Sequence, residues 1–173
     1  MIIVLMGYMA SGKSFIGRVL ANKLNYDFVD LDDYIENTEG NTVSTIFKSS
    51  GEIYFRKIET KYLKQVLNSK TNIVLSLGGG TPCYGDNMSI IKNSPKVVSF
   101  YLKTNINTLL SRLENEKNKR PLVARFNTKD ELQEFIGKHL FERNHFYNQA
   151  NFVIDNNAVF NNDVVEEIVI KLF

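Results

Sequence analysis

The chain has a single cysteine, Cys83, among its 173 residues. An internal disulfide is therefore excluded, and with no C-x-x-C context Cys83 reads as structural. An excess of charge of one sign is also missing. Twenty-one Lys and Arg stand against 19 Asp and Glu, a formal net charge of +2, too small to argue for a nucleic-acid or membrane surface. No apolar run approaches the roughly 20 residues of a membrane span. The apolar start is only five residues long, has no basic segment before it and does not read as a signal peptide. The expected compartment is the reducing cytoplasm. The only two histidines, His139 and His145, are six apart; they do not share a helix face as a zinc-binding H-x-x-x-H would, and both read as structural. Internal repeats, linkers and low-complexity stretches are absent. The length fits one domain with a substantial core.

What is present begins at residue 2. The apolar run Ile2-Ile3-Val4-Leu5-Met6 leads straight into Gly7-Tyr8-Met9-Ala10-Ser11-Gly12-Lys13-Ser14. This satisfies G-x-x-x-x-G-K-[ST], the phosphate-binding P-loop. Gly7 and Gly12 permit backbone conformations that turn several N–H groups towards one anion. A helix starting near Lys13 would point its positive end at the same place. Lys13 adds a full charge for the β- and γ-phosphates, and the Ser14 hydroxyl suits Mg²⁺. The alternative is a Gly-rich turn with no ligand; the position between an apolar strand and an amphipathic helix argues against it.

Further apolar runs at 28–31, 73–77, 97–102 and 152–155 alternate with helical patterns. The runs are near-continuous, as in strands covered on both faces. Ile16, Val19, Leu20 and Leu24 fall at helical spacing; so do Ile53, Ile58, Tyr62, Val66 and Leu67, and again Val164, Val165, Ile168, Val169 and Leu172. Asn105 reads as a cap before Leu109, Leu110 and Leu113, and Thr128 to Glu131 as a capping box. The fold class is α/β, a parallel sheet wrapped by helices. Residues 32–69 hold too much helix for one crossover and are broken at Gly40 and Gly51. An insertion beyond a strand's carboxyl end sits beside the ligand crevice, so this one is either an acceptor-binding subdomain or plain decoration. The polar, non-periodic stretch 115–127 is the expected mobile loop.

Three clusters could carry chemistry. Asp30, Asp32 and Asp33 stand at the end of the second apolar run. On an extended chain Asp30 and Asp32 would project to one side and serve a metal and an acceptor hydroxyl, or Asp32 or Asp33 would cap a helix. Gly78, Gly79 and Gly80 strip side chains from one patch of backbone, for a ligand or for a turn before Pro82. Arg56, Arg120 and Arg143 have apolar company; their forks match carboxylate and phosphate, or each lies on a solvated face. The aromatic residues Phe47, Tyr54, Phe55, Phe141, Phe146 and Tyr147 read as core.

Taken in order along the chain, these motifs resemble the shikimate kinase family. They are G-x-x-x-S-G-K-S at 7–14, D-x-D at 30–32, F-R-x-x-E at 55–59, L-G-G-G at 77–80, R-P-L at 120–122 and R-x-x-x-Y-x-x-A at 143–150. The resemblance implies a three-layer αβα P-loop kinase domain, 1–173, with a five-stranded parallel sheet in the order 2-3-1-4-5. Within it 32–69 would bind the acceptor and about 113–127 would form a lid. It implies transfer of the γ-phosphoryl group of ATP to the 3-hydroxyl of shikimate, with Mg²⁺ as cofactor, by a monomer. Gly7, Ala10, Ser11, Gly12, Lys13, Ser14 and Phe15 would line the ATP phosphates. Arg112 and 155–157, Asn157 included, would flank adenine. Ser14 would bind Mg²⁺ directly and Asp30 through water. Asp32 would hold the acceptor hydroxyl and take its proton. Arg56 and Arg143 would grip the shikimate carboxylate, Glu59 would orient Arg56, and the three glycines would line the ring site. Arg120 would reach from the lid to the transferring phosphate. Lys13, Asp32 and Arg120 form the implied catalytic set.

The family usually has glycine where Ala10 stands, so Ala10 would be strained if its φ must be positive. The competing readings are another P-loop kinase, acting on gluconate or a nucleotide, or a nucleotide-dependent switch. A switch would want D-x-x-G and N-K-x-D, and the chain has no D-x-x-G.

Overall fold

Alternate residues of β1 (Ile2–Met6) face opposite sides of the sheet, and every one of them is buried. Ile2, Val4 and Met6 pack with Leu31, Ile35 and Leu63, whereas Ile3 and Leu5 pack with Ile16, Leu20 and Ile168. A strand covered on both sides has no polar face, which is why its sequence shows no alternation. The structure is a computed structural model that describes residues 1–69, 71–116, 121–157 and 162–173.

The other strands are β2 (Asp27–Asp30), β3 (Ile73–Ser76), β4 (Val97–Lys103) and β5 (Phe152–Asp155). They form one sheet in the order β2-β3-β1-β4-β5, parallel at every pairing. Helices α1 (Lys13–Leu24) and α8 (Asn162–Leu172) cover one face through Ile16, Leu20, Val165 and Ile168. On the other face lie α3 (Val43–Ser69) and α4 (Asn87–Asn93), with Tyr147 at the end of α7 (Lys129–Tyr147). A third apolar cluster joins α5 (Ile106–Glu114), α6 (Pro121–Ala124) and α7 around the buried ring of Tyr8.

Local rules set the boundaries. The Asn105 side chain accepts from Thr108 N as an N-cap, and Thr128 with Glu131 forms the expected capping box of α7. Gly40 ends α2 (Leu31–Glu39) in the left-handed conformation, and Gly51 interrupts α3 at φ 80. Asp30 and Asp32 do not share an extended segment. The strand stops at Asp30, and it is Asp30, not Asp32 or Asp33, that caps α2, by accepting from Asp32 N at 3.1 Å, because Leu31 turns into the core as the first helical residue and carries Asp32 and Asp33 into the first turn. Ile53 and Phe141, 89% and 87% exposed, and the part-exposed Tyr54 are not core; each lies on an exposed part of its helix, where periodicity alone misassigns it. The stretch 115–127 is not all loop, since α6 inserts the buried Val123 into the third cluster; residues 117–120 lie outside the described residues. Among the described residues no helix is long and apolar enough to cross a membrane.

Candidate active site

Chain direction reverses around β1. From β1 the chain leaves through α1 towards β2, and from β3 it crosses over β1 to β4. Such a point opens a crevice at the carboxyl ends of the strands, and here the crevice is a cleft of about 1090 Å³.

Residues 7–14 form its floor. Gly7 leaves β1 at φ 148, and Gly12 is the N-cap of α1 at φ 89, with no side-chain cap. The first N–H groups of α1 thus face a site where an anion can satisfy them. Lys13 is buried, and its ammonium donates to Gly7 O at 3.0 Å and Tyr8 O at 2.9 Å. Ser14 Oγ donates to Asp30 Oδ2 at 2.7 Å and lies 3.4 Å from Ser76 Oγ. Ala10, Gly12, Lys13, Ser14 and Phe15 line the cleft. Gly7 and Ser11 stand behind this lining; Ser11 is completely buried.

The far end of the cleft is built from α3 and the segment after β3. Arg56 donates from Nη1 to Glu59 Oε2 at 3.1 Å, and from Nε and Nη2 to Glu52 Oε1 at 3.3 and 3.2 Å. Its guanidinium lies over the Tyr84 ring, 3.8 Å from the centroid. Glu59 is itself buried and takes a 2.6 Å hydrogen bond from Thr81 Oγ1. The fork of Arg56 is therefore fixed on three sides. A Cβ on Gly80 would stand 3.0 Å from both Nη atoms of Arg56, and one on Gly78 would stand 3.1 Å from Asp32 Oδ1. The bare backbone lets a carboxylate and a guanidinium approach the same patch. Arg143, on α7, lines the same cleft and leans over the Tyr8 ring.

Asp32 connects the two ends. It lines the cleft from the first turn of α2. Burial pushes its carboxyl up from the ordinary 3.8 to about 6; the neighbouring carboxylates Asp30 and Glu59 push the same way and Lys13 opposes them. A carboxylate so poised is a base for a hydroxyl proton. Arg112 and Asn157 line the opposite side of the cleft. Arg112 Nη1 donates to Ala10 O at 3.1 Å, and Asn157 Oδ1 accepts from Asn105 N at 2.8 Å. Arg120 lies outside the described residues.

Residues 9–173 match the family model described as shikimate kinase. The chain belongs to the shikimate kinase family. It is accordingly an ATP-dependent phosphotransferase. The shikimate kinase of Flavobacterium psychrophilum is 47% identical over 168 residues, 96% of this chain and 95% of that one. A crystal structure of shikimate kinase from Bacteroides thetaiotaomicron superposes with a TM-score of 0.88 at 36% identity, covering 99% of this chain and 95% of the other. A shikimate kinase from Acinetobacter baumannii in complex with shikimate gives a TM-score of 0.85 at 30% identity, covering 99% and 92%.

The family's motifs do not signal every contact that shapes this site. Tyr84 supports Arg56 from one residue beyond the 3₁₀ turn Thr81–Cys83. Tyr147 donates to Gly79 O and so ties α7 to the glycine patch. Tyr8 OH meets His139 Nδ1 at 3.1 Å, linking the floor to the same helix. Such contacts come from distant segments, and only the Tyr of R-x-x-x-Y stood in a motif. Ala10 does take a positive φ, 61°. For a residue with a Cβ this costs roughly 1–2 kcal/mol, against roughly 0.4–1 kcal/mol of unfolded-chain entropy that glycine would add. Ala10→Gly should therefore raise the Tm by up to about 6 °C, given ~2–4 °C per kcal/mol for a chain of this length. A lower Tm in a thermal melt would mean that the loop carries no such strain.

Proposed function

We propose that this chain transfers the γ-phosphoryl group of ATP to the 3-hydroxyl of shikimate, giving shikimate 3-phosphate and ADP. One observation carries the reading: a single cleft holds a phosphate-binding loop at one end, a fixed guanidinium at the other and a raised-pKa carboxylate between them. Phosphoryl transfer leaves little covalent chemistry to the protein, so positioning and charge neutralisation dominate. Residues 7–14 and the N-terminus of α1 hold the phosphates, with Lys13 turning from its carbonyl partners to the β- and γ-oxygens. Arg112 and Asn157 flank the base, and Phe15 borders the phosphates. Arg56, fixed by Glu59, and Arg143 grip the acceptor's carboxylate against Gly78, Gly79 and Gly80. Asp32 accepts the proton of the attacking hydroxyl as the new O–P bond forms and the bond to the β-phosphate oxygen breaks. Arg120 reaches the transferring group from a lid over about 113–127, and residues 32–69 form the acceptor-binding insertion of a single domain.

The donor set beside the phosphates fits Mg²⁺. Ser14 Oγ and the Asp30 carboxylate are hard oxygens in mutual contact at 2.7 Å, and Mg²⁺ in kinases takes few protein oxygens and keeps waters and phosphates. Ser14 would bind the ion directly and Asp30 through water. When bound there, Mg²⁺ would supply charge neutralisation for the phosphates. The chain works as a monomer in the cytoplasm.

The test is ADP release from ATP and Mg²⁺ with shikimate, gluconate or nucleoside monophosphates as acceptor. Turnover with shikimate is expected; activity on the other two alone would sink the reading. Arg56→Ala tests the acceptor end. Losing a hydrogen-bonded charge costs roughly 1.5–3 kcal/mol, so the shikimate KM should rise about ten- to a hundred-fold with the ATP KM unchanged. The opposite split would place Arg56 at the wrong substrate.

A further inference from the structure

Asn156 follows β5 directly and is completely buried, as is Ser11. Its side-chain amide donates from Nδ2 to Ser11 O. Because Ser11 O only accepts, the NH₂ end of the amide must be the end that faces it. The backbone of Asn156 is itself anchored, its N–H on Lys103 O at 2.7 Å and its carbonyl taking Thr104 Oγ1 at 3.3 Å. Arg112 bridges the same two segments, donating from Nη1 to Ala10 O at 3.1 Å and from Nη2 towards Asn156 O at 3.5 Å.

The contact has a price in polar pairing. Asn156 Oδ1 and Ser11 Oγ are buried without a hydrogen-bond partner among the described residues. A residue kept only to fill this space would be apolar and would leave no orphaned acceptor on the amide. The retained amide does one thing that a hydrocarbon of similar size does not: it fixes the direction of the Ser11 carbonyl.

That direction matters because a trans peptide is planar, with its C=O and N–H antiparallel. The N–H in the plane of the Ser11 carbonyl belongs to Gly12. Pulling Ser11 O towards β5 turns Gly12 N–H the other way, towards the cleft that Gly12 lines. We propose that Asn156 is a positioning residue for phosphate binding, which aims the Gly12 N–H at the nucleotide's phosphates by holding the Ser11 carbonyl from behind. Its partner is thus the phosphate chain, reached through the loop, and not the nucleobase.

The inference rests on residues 7–14 being the phosphate site, so the first measurement is binding of tripolyphosphate and ADP to the unaltered chain by calorimetry. No tripolyphosphate binding there would sink the phosphate assignment itself. Given binding, Asn156→Leu removes the donor and the orphaned oxygen together. The expected result is a Tm equal to or above that of the unaltered chain, with tripolyphosphate and ADP affinities both about tenfold weaker, ~1.4 kcal/mol, and shikimate affinity unchanged. Weaker ADP with unchanged tripolyphosphate would make Asn156 a base contact and overturn the proposal. So would unchanged affinity for both, or an equal loss for shikimate. If Asn156→Leu fails to fold, Asn156→Ala carries the same readouts without asking the pocket to hold a branched side chain.

Discussion

Lys13→Ala is expected to cut kcat about 10²–10³-fold, the loss that follows removal of one preorganised donor to developing charge, with a smaller rise in the ATP KM. The difference between the two effects is the informative part. The ammonium rests on Gly7 O and Tyr8 O at 3.0 and 2.9 Å, so the loop's own carbonyls hold it in place. In the proposed reaction ground-state ATP is also gripped by the N–H groups at the start of α1, which Ala leaves in place. What Ala removes is a full charge where the bridging oxygen gains charge in the transition state. The two carbonyls lose a side-chain partner, but Tyr8 O keeps the bond from Ser11 N at 3.2 Å and no helix or strand ladder is touched, so the far-UV circular dichroism should be unchanged. Equal losses in kcat/KM and in fold would show that Lys13 serves structure, and a raised KM at full kcat would confine it to ground-state binding.

How far such residues were legible in the sequence depends on how local their physics is. The phosphate loop is read from eight consecutive residues because its strand, turn and helix start are local. The parallel sheet is legible for the same reason: strands buried on both faces leave continuous apolar runs, and all five appear in the sequence within one or two residues of their ends. Asp30 and Asp32 were legible as a pair but not as an arrangement. The strand-to-helix switch at Leu31 depends on that side chain reaching the core under α3, a contact invisible in the sequence. The seat of Arg56 was half legible. Glu59 lies three residues on along the same helix, but Tyr84 is 28 residues away and meets the guanidinium only when the sheet folds. The order 2-3-1-4-5 came from resemblance, since periodicity carries no information about which strand lies beside which.

Asp32→Asn is expected to cost about 10²–10⁴-fold in kcat, the usual contribution of a positioned general base, and to make the protein more stable at neutral pH. The two effects share one cause. Burial, with Asp30 and Glu59 nearby, holds the carboxyl at about 6 instead of 3.8. Folded Asp32 therefore binds a proton more tightly than the unfolded chain does. The folded state gains stability as pH falls through about 6, gains no more below about 4, and carries the full penalty of the buried charge at pH 7 and above. At about 1.4 kcal/mol for each tenfold step in proton affinity, that penalty is about 2–3 kcal/mol. Asn, neutral and of the same shape, removes it, and the Tm at pH 7.5 should rise by roughly 4–12 °C. At pH 4, where Asp32 is protonated in the folded state, the Tm gain should largely vanish. The rate follows the opposite form of the carboxyl: kcat/KM of the unaltered enzyme should fall tenfold per pH unit below about 6, while the residual rate of Asp32→Asn should lack that limb. A variant that is inactive and also less stable at pH 7.5 would place Asp32 in the scaffold; one that keeps the acid limb would move the titrating base to another carboxylate. The stability gain is the sharper readout, because a buried carboxylate beside Asp30 and Glu59 is a charge that the fold tolerates only at a cost.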